Sequence, residues 1–350
     1  MTIVRSGRSA MIILVTAVLA ACGDSPVPPN TVPPASEAAR LVRTHASGCP
    51  TKRCIIVGSQ PGYKYKPLAS VLFYARKANG NVAPAGEISG SKTQLGFPAG
   101  LAMDSRASVY VANTYPGSIT VYAAGSTGNV VPIRTIAGAK TKLDHPTGIT
   151  IDSNDELYVA NNPNHANGCI TVYTSNANGD VMPIRQICGK KTNLFAPWGL
   201  ALDSQSNLYV ANDDPNTGWI TVYSPSAHGN SAPIRTIQGS ATELAGPTGL
   251  AVDASGYVYV ENSASVNNDV AIFAPGASGN VSPVSYFSGG YAAYGLTLDG
   301  SDIYVTSVGA DDEPFVATFR GGALGNQGHV LRKIQGQKTE LIFPEGIVVR

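Results

Sequence analysis

The sequence predicts an all-β fold, a six-bladed β-propeller with four antiparallel strands in each blade. Three observations support this prediction: only 13% of the 350 residues are charged, glycine (38) and proline (24) are plentiful, and one motif recurs at intervals of 46 to 51 residues. Low charge combined with many apolar residues excludes a disordered chain and a long coiled coil. The formal net charge of +1 gives no electrostatic footprint for nucleic acid.

The recurring motif is Pro-x-Gly-Leu/Ile-x-x-Asp, and it predicts the innermost strand of each blade. Clear copies lie at Pro98–Asp104, Pro146–Asp152, Pro197–Asp203 and Pro247–Asp253, with degraded copies at Ala293–Asp299 and Pro344–Arg350. Every copy but the last is followed by further short apolar segments, and four short strands per unit of about 40–50 residues are typical of a propeller.

The segments after each motif supply the other three strands of a blade. Second strands are predicted at Val109–Asn113, Leu157–Asn161, Leu208–Asn212, Val258–Asn262 and Ile303–Ser307. Third strands are predicted at Ile119–Tyr122, Ile170–Tyr173, Ile220–Tyr223, Val270–Phe273 and Val316–Phe319. The fourth strand starts with proline in four copies, at Pro132, Pro183, Pro233 and Pro283, which removes one hydrogen-bond donor from an exposed sheet edge.

The two ends of the chain are predicted to share one blade. The sequence stops at Gly346–Arg350, an innermost strand with no successors. Its three missing partners are predicted at Cys54–Val57, Val71–Tyr74 and Ala85–Ile88. An open array would leave two exposed apolar edges, so a closed ring of six blades is expected.

The run from Pro247 to Asn262, PTGLAVDASGYVYVEN, resembles the NHL-repeat class of six-bladed propellers. The likeness covers about residues 54–350. It departs where the family has Asp after the second strand and Asn-x-Arg-Ile before the third, because this chain has Asn and Gly-x-Ile-Thr. The resemblance implies the fold, but propellers of this kind host binding, catalysis and scaffolding alike.

The N-terminus reads as an export signal. Arg5 and Arg8 precede an apolar run from Met11 to Ala21, too short for a membrane-spanning helix. Leu19-Ala20-Ala21-Cys22 resembles the lipobox of bacterial lipoproteins, in which the cysteine is acylated; an ordinary signal peptide cut nearby is the alternative. We therefore expect a signal peptide (1–21), a Pro/Ala-rich tether (22–47) and a propeller (48–350). The protein is expected to be lipid-anchored to a bacterial membrane and to face the periplasm or the cell surface.

The other four cysteines are predicted to form disulfides, because an exported protein folds in an oxidising compartment. Cys169 and Cys188 lie symmetrically about the predicted turn Asn178-Gly179, and Cys49 and Cys54 bracket a short loop. We predict the pairs Cys49–Cys54 and Cys169–Cys188, although four cysteines permit three pairings. A zinc site is the weaker alternative, since no histidine accompanies either pair at ligand spacing.

Recurring polar residues are interpreted as structural. The aspartate that ends each motif is expected to bond turn amides, and the asparagine that ends each second strand is expected to cap that strand. These residues are Asp104, Asp152, Asp203, Asp253 and Asp299, together with Asn113, Asn161, Asn212 and Asn262.

Positions that differ between repeats are the candidates for function. The residues between Pro and Gly of the six motifs, here called the ring residues, are predicted to surround the channel mouth: Ala99, Thr147, Trp198, Thr248, Tyr294 and Glu345. Trp198 and Trp219 could form a stacking platform for a sugar or be packing residues. Acidic loop residues on the same face either bind a ligand or confer solubility: Asp213, Asp214, Asp269, Asp311, Asp312 and Glu313.

Two functions of different classes follow from these residues. The first is a binding propeller without a cofactor, which recognises an envelope protein or a glycan through Trp198, Trp219, Tyr294, Glu345, His145, Asp213 and Asp214. The second is a metal-dependent hydrolase or lyase similar to SMP-30-like lactonases, with calcium held by Glu345, His145 and loop carboxylates. Glu345 is the single acidic ring residue, and calcium needs several oxygen ligands, so the sequence favours the binding propeller over an enzyme. A scaffold protein without a small-molecule site is a third reading.

Overall fold

In a computed structural model, the described residues form six antiparallel sheets of four strands each. The structure describes residues 54–60, 69–163, 167–214, 216–264, 269–288, 292–309, 311–321 and 329–349. The predicted signal peptide and tether, with Cys22 and Cys49, lie outside these residues. The prediction of an all-β propeller with four strands per blade is confirmed. The described part of the chain contains no helix with the length and apolar character needed to cross a membrane.

Five blades follow one another along the chain. Blade 1 contains β4 (Pro98–Met103), β5 (Val109–Asn113), β6 (Ser118–Tyr122) and β7 (Arg134–Ile136). Blade 2 contains β8 (Pro146–Ile151), β9 (Leu157–Asn161), β10 (Cys169–Tyr173) and β11 (Arg185–Ile187). Blade 3 contains β12 (Pro197–Leu202), β13 (Leu208–Asn212), β14 (Trp219–Tyr223) and β15 (Arg235–Ile237). Blade 4 contains β16 (Pro247–Val252), β17 (Val258–Asn262), β18 (Asp269–Phe273) and β19 (Ser285–Ser288). Blade 5 contains β20 (Ala292–Asp299), β21 (Asp302–Val308), β22 (Pro314–Arg320) and β23 (Val330–Gln335).

The sixth sheet joins both ends of the chain and is called the closing blade. It contains β24 (Phe343–Val349), β1 (Cys54–Gln60), β2 (Ser70–Ala75) and β3 (Gly86–Ser89), hydrogen-bonded in that order. Ile347 of β24 lies opposite Val57 of β1, and the Tyr74 hydroxyl donates to the Thr339 carbonyl. The inner strands contact one another around the ring, and β24 contacts both β20 and β4. The predicted closure by a shared blade is confirmed.

The outermost strands are shorter than the sequence predicts. They begin at Arg134, Arg185 and Arg235, two residues after the prolines that were expected to open them. A proline has no backbone N–H to give to the ladder, so regular pairing starts after it. Pro132 therefore precedes the strand rather than beginning it. The next residue, Ile133, donates its backbone N–H to the Val121 carbonyl of the third strand.

Glycine lets the inner strands approach one another closely. A Cβ on Gly100 would lie 2.3 Å from the Thr147 carbonyl oxygen, and a Cβ on Gly148 would lie 2.0 Å from that of Trp198. No side chain fits at either position without moving the neighbouring backbone. The motif glycine therefore sets the spacing at which each inner strand contacts the next blade.

Neighbouring blades are also joined at their outer edges by a Gly-Asn or Gly-Asp pair. In blade 1, the Gly128 amide donates to the Glu87 carbonyl at 2.6 Å, and the Asn129 Oδ1 accepts from the Lys92 amide at 2.7 Å. The same pairs of contacts recur at Gly179-Asp180, Gly229-Asn230, Gly279-Asn280 and Gly80-Asn81. Because each pair satisfies one backbone acceptor and one backbone donor of the preceding blade, the repeat stabilises the ring as well as the blade.

The predicted disulfide Cys169–Cys188 is present, and the Cα atoms of the two residues are 4.8 Å apart. It joins the start of β10 to the residue after β11 across the predicted hairpin. Cys54 is also disulfide-bonded. Its predicted partner, Cys49, lies outside the described residues.

Candidate functional site at the channel mouth

In blades 1 to 4 the aspartate that ends the motif supports a turn, as predicted, whereas Asp299 of blade 5 forms an ion pair with Arg76 instead. The Asp152 Oδ1 accepts backbone hydrogen bonds from Asn154 and Glu156, both at 2.9 Å. Equivalent pairs of bonds are made by Asp104, Asp203 and Asp253. These carboxylates hold the loop between the first two strands, on the face opposite the channel mouth.

The asparagine that ends the second strand does more than cap it. The buried Asn161 accepts from the Asp144 amide at 3.0 Å and donates to the Thr171 Oγ1 at 3.0 Å. Asn113 and Asn212 make the same connections in blades 1 and 3. One side chain thus ties the loop that enters the inner strand to the second and third strands, and this fixes the ring residue that follows.

The six ring residues divide into two groups. Ala99, Thr147 and Thr248 are buried. Trp198, Tyr294 and Glu345 are half-buried and retain access to solvent. Small buried side chains therefore occupy this position in blades 1, 2 and 4, whereas two aromatic rings and a carboxyl group occupy it in blade 3, blade 5 and the closing blade.

Trp219 does not share this exposure. It is 9% exposed, and its indole N–H donates to the Asn193 carbonyl at 3.0 Å. Its ring lies 6.1 Å from that of Phe195. The packing interpretation fits Trp219, because the first residue of β14 points its side chain against the loop that enters blade 3. The ligand-binding role stays a prediction for Trp198.

The two neighbouring loop aspartates have different surroundings. The Asp214 Oδ1 accepts from the Asn216 amide at 2.9 Å and the Thr217 amide at 2.8 Å, and these bonds hold the pKa of Asp214 below its ordinary value. Asp214 therefore shapes its own loop. The charge of Asp213 raises the pKa of Tyr294, and the Asp213 Oδ1 lies 3.2 Å from where a Cβ on Gly246 would be.

His145 directly precedes β8, on the same face as the ring residues. Its Nδ1 is 2.7 Å from the Asp144 Oδ1, and its ring packs edge-on against Tyr115, with centroids 4.9 Å apart. Within the part of the chain that the structure describes, no group of three or more His, Cys, Asp or Glu side chains is placed to hold a metal ion. The described residues thus do not fit the calcium site expected for Glu345, His145 and loop carboxylates, since calcium takes six to eight oxygen ligands.

Glu261, in the second strand of blade 4, was not predicted from the sequence to be a site residue. Its side chain is fully buried, and neither carboxyl oxygen has a hydrogen-bond partner among the described residues. One of these oxygens lies 2.6 Å from where a Cβ on Gly249 would be, so the carboxyl group points at the inner strand of its own blade. Burial raises the pKa of Glu261 well above its ordinary value.

A repeat comparison identifies Glu261 as an exception. The equivalent second-strand residues in blades 1 to 3 are Ala112, Ala160 and Ala211. The signal was therefore visible in the sequence as VYVEN against VYVAN and LYVAN.

Glu345 and Tyr294 complete this part of the mouth. Burial raises the pKa of Glu345 to about 8, against a hydrogen bond from the Gln60 side chain that lowers it. The Glu345 Oε2 is buried without a partner among the described residues, although the residue as a whole is half-buried. The pKa of Tyr294 is raised by its own burial first and then by the charges of Glu345, Glu261 and Asp213. These four residues, Asp213, Glu261, Tyr294 and Glu345, are called the acidic pocket below.

The acidic pocket can act in two ways. A pKa of about 8 keeps a proton on Glu345 at neutral pH, so that it presents an O–H donor, and burial shifts the pKa of Glu261 in the same direction. A positively charged or strongly donating ligand would instead favour the ionised carboxylates. The protonated and the ionised carboxyl groups both leave buried oxygens without a hydrogen-bond partner among the described residues.

Comparisons with known proteins agree with the fold. The NHL repeat family model matches residues 143–173, which span the first three strands of blade 2. A protein of unknown function from Bacteroides caccae is 9% identical over 85% of this chain and 99% of its own, with a TM-score of 0.61. The periplasmic gluconolactonase PpgL from Pseudomonas aeruginosa is 13% identical over 85% of this chain and 98% of its own, with a TM-score of 0.52.

A functionally unknown protein from Desulfotomaculum acetoxidans is 12% identical over 85% of this chain and 99% of its own, with a TM-score of 0.52. No curated protein matches the chain significantly. At these identities the similarity extends to the fold alone. The chain therefore contains an NHL repeat and is a six-bladed β-propeller.

Proposed function

We propose that this protein is an extracytoplasmic binding propeller, anchored to a bacterial membrane by a lipid on Cys22, which takes a ligand at the channel mouth. The observation that carries the proposal is the acidic pocket. Three buried carboxyl oxygens, both of Glu261 and the Oε2 of Glu345, lack partners among the described residues, and the charges of both residues act on the half-buried Tyr294. Buried polar groups normally have hydrogen-bond partners, so those that lack one mark a site where a partner is expected to bind.

The other residues of the mouth have the composition of a small-molecule site. Ligand sites combine apolar and aromatic surface with a few polar groups that point to one place. Trp198 and Tyr294 offer aromatic surface, and Glu345, Glu261 and Asp213 supply the polar groups. Glycan or envelope-protein side chains remain candidate ligands under this proposal.

The proposed location rests on the sequence signal at residues 1–22 and on the disulfide chemistry. The bridge Cys169–Cys188 fits an oxidising compartment. Replacing the acylated residue tests the anchor: Cys22→Ala is expected to move the protein out of the membrane fraction. Unchanged partitioning of that variant would contradict the lipoprotein proposal.

A second candidate function, hydrolysis by acid catalysis, is favoured by one observation. A carboxyl group whose pKa is about 8 carries a proton at neutral pH, which a general acid requires. The structural neighbour PpgL is a gluconolactonase, but its low identity gives this candidate no residue roles. Turnover of gluconolactone by the purified protein, abolished in Glu345→Gln, would favour the hydrolase over the binding propeller.

The binding proposal is tested by ligand-observed NMR with neutral sugars, lactones and amines as probes. Any probe that binds wild type is expected to lose its saturation-transfer signal with Trp198→Ala. The matched control is Tyr286→Ala, which removes a 62% exposed aromatic ring from the outer strand of blade 4. Equal loss in both variants, or in neither, would contradict a site at the channel mouth.

A further inference from the structure

We propose that the ligand of the channel mouth is an organic amine, bound as its ammonium ion, and that Glu261 is the residue that anchors its N–H groups. This inference rests on the proposed function, because it names the ligand class of the same site. It goes further by assigning Glu261, which lies behind the ring residues rather than among them.

The two glutamates have acceptors that an ammonium group matches in number. Both oxygens of Glu261 and the Oε2 of Glu345 are buried acceptors without a partner among the described residues. A primary ammonium group carries three N–H donors and no acceptor, as in lysine. The number of its donors equals the number of these acceptors, and bonds between charged partners are stronger than those between neutral groups.

The charges around Tyr294 are negative. Every side-chain charge that acts on Tyr294 among the described residues is an acid, namely Glu345, Glu261 and Asp213. Removing a carboxylate from water costs free energy unless a cation accompanies it. A bound cation supplies that missing charge, whereas a neutral sugar does not.

Aromatic rings lie at the channel mouth as well. Trp198 and Tyr294 are the half-buried aromatic members of the ring residues. Tryptophan and tyrosine faces attract cations, and the attraction grows when the site is desolvated. The mouth thus presents aromatic surface and negative charge together, a combination suited to an ammonium ion attached to an apolar group.

The residue type at the position of Glu261 differs from that in blades 1 to 3. Alanine fills the position of Glu261 in blades 1 to 3, and each of those blades closes its core with it. The fold therefore does not need a carboxyl group at this position. A residue that breaks the local pattern at a cost in stability, without a structural partner, is best explained by function.

Amine binding has a pH dependence of known sign. The titratable groups that face one another here are Glu261, Glu345, Asp213 and Tyr294, and burial raises the pKa of both glutamates. An ammonium ion selects the ionised carboxylates, so binding releases protons at neutral pH. Affinity is therefore expected to rise by about tenfold or more from pH 6 to pH 8.

The experiment compares two nearly isosteric probes, benzylamine and benzyl alcohol, by titration calorimetry with the purified protein at pH 6 and pH 8. Benzylamine is expected to bind more tightly at pH 8 and to release protons, which is measured in buffers of different ionisation enthalpy. Glu261→Gln keeps the shape of the side chain and is expected to weaken benzylamine binding about tenfold or more. The matched control is Asp180→Asn, which removes an exposed charge from the outer edge of blade 2, where the equivalent residue of blades 1 and 3 is already asparagine.

Each outcome decides between the two proposals. Benzyl alcohol binding as well as benzylamine, or benzylamine failing to bind, would overturn the amine inference. Unchanged affinity in both Glu261→Gln and Glu345→Gln would do the same. If a neutral probe binds and Trp198→Ala abolishes its binding, the amine inference fails while the proposed function stands. If benzylamine binds equally well to wild type and Trp198→Ala, the channel mouth itself is contradicted.

Discussion

Blades 1 to 3 and blade 4 share one backbone plan but treat their polar groups differently. In blades 1 to 3 the polar side chains that recur from blade to blade have hydrogen-bond partners. In blade 2, for example, Arg185 on the outer strand donates to the Tyr158 hydroxyl at 2.7 Å and stacks on its ring at 5.4 Å. The Tyr173 hydroxyl donates to the Thr141 carbonyl, which ties the third strand to the turn before the first.

Blade 4 has lost most of these contacts. Ser285 replaces the outer-strand arginine, Phe273 replaces the third-strand tyrosine, and Tyr259 bonds Asp253 instead. At the same time Glu261 introduces a buried acid without a partner among the described residues. The comparison teaches that shared polar residues serve the fold, and that the blade which departs from them most is also the one that carries the buried acid Glu261.

Removal of β24 is expected to have the largest effect, because it breaks the ring that both kinds of blade depend on. Deletion of residues 343–350 removes the inner strand of the closing blade and the pairing of Ile347 with Val57. The expected result is loss of cooperative unfolding, measured by circular dichroism during heating. A melting curve like that of wild type would contradict closure by a shared blade.

Asn161→Ala tests the regular side of the comparison. The substitution leaves buried backbone and threonine groups of blade 2 unpaired, and is expected to lower the free energy of unfolding by about 2–4 kcal/mol. Urea unfolding measures the change. The control is the exposed Asn176→Ala in the same blade, and equal effects of the two substitutions would argue against the interpretation of Asn161 as a structural tie.

Glu261→Ala tests the exceptional side, because it gives blade 4 the residue of blades 1 to 3. Burial raises the folded-state pKa of Glu261 above its unfolded value, so the folded wild type holds the proton more tightly. Wild type therefore loses stability as pH rises from about 4.3 towards that raised pKa, by about 1.4 kcal/mol per pH unit.

The alanine variant lacks this dependence at residue 261. It is expected to be more stable than wild type, by a margin that is larger at pH 8 than at pH 5. Urea unfolding at the two pH values measures the margin. A margin that is equal at both values would argue against a buried, protonated Glu261.

Tyr173→Phe is expected to have the smallest effect. It gives blade 2 the third-strand residue type that blade 4 already has, and it removes one hydrogen bond while keeping the buried ring. The expected loss is about 1 kcal/mol in the free energy of unfolding, measured in urea. A loss above about 3 kcal/mol would show that the tyrosine contributes more than this single bond.

The repeated features could be predicted from sequence because each has a local cause that recurs. The motif glycines, the turn aspartates and the symmetric placement of Cys169 and Cys188 gave the blade count, the turns and one disulfide. The start of each outer strand was placed two residues too early, because the absence of an N–H in proline delays regular pairing.

The candidate site was predictable only in part. Ring positions follow from the motif, but burial of Trp219 depends on contacts with Asn193 and Phe195 that strand periodicity does not reveal. Glu261 was overlooked because a glutamate near the end of a strand normally suggests an exposed side chain. Its isolation became apparent only when the packing of blade 4 against blade 5 was known.

The central claim is that blade 4 carries a buried acid that binds a ligand. The most direct test is the titration of Glu261 by carbon-13 NMR of labelled glutamate carboxyl groups. Comparison with Glu261→Gln assigns the signal. The account predicts a midpoint well above the ordinary value of about 4.3, which falls when benzylamine is added. A midpoint near the ordinary value in the absence of ligand, or one that benzylamine leaves unchanged, would contradict it.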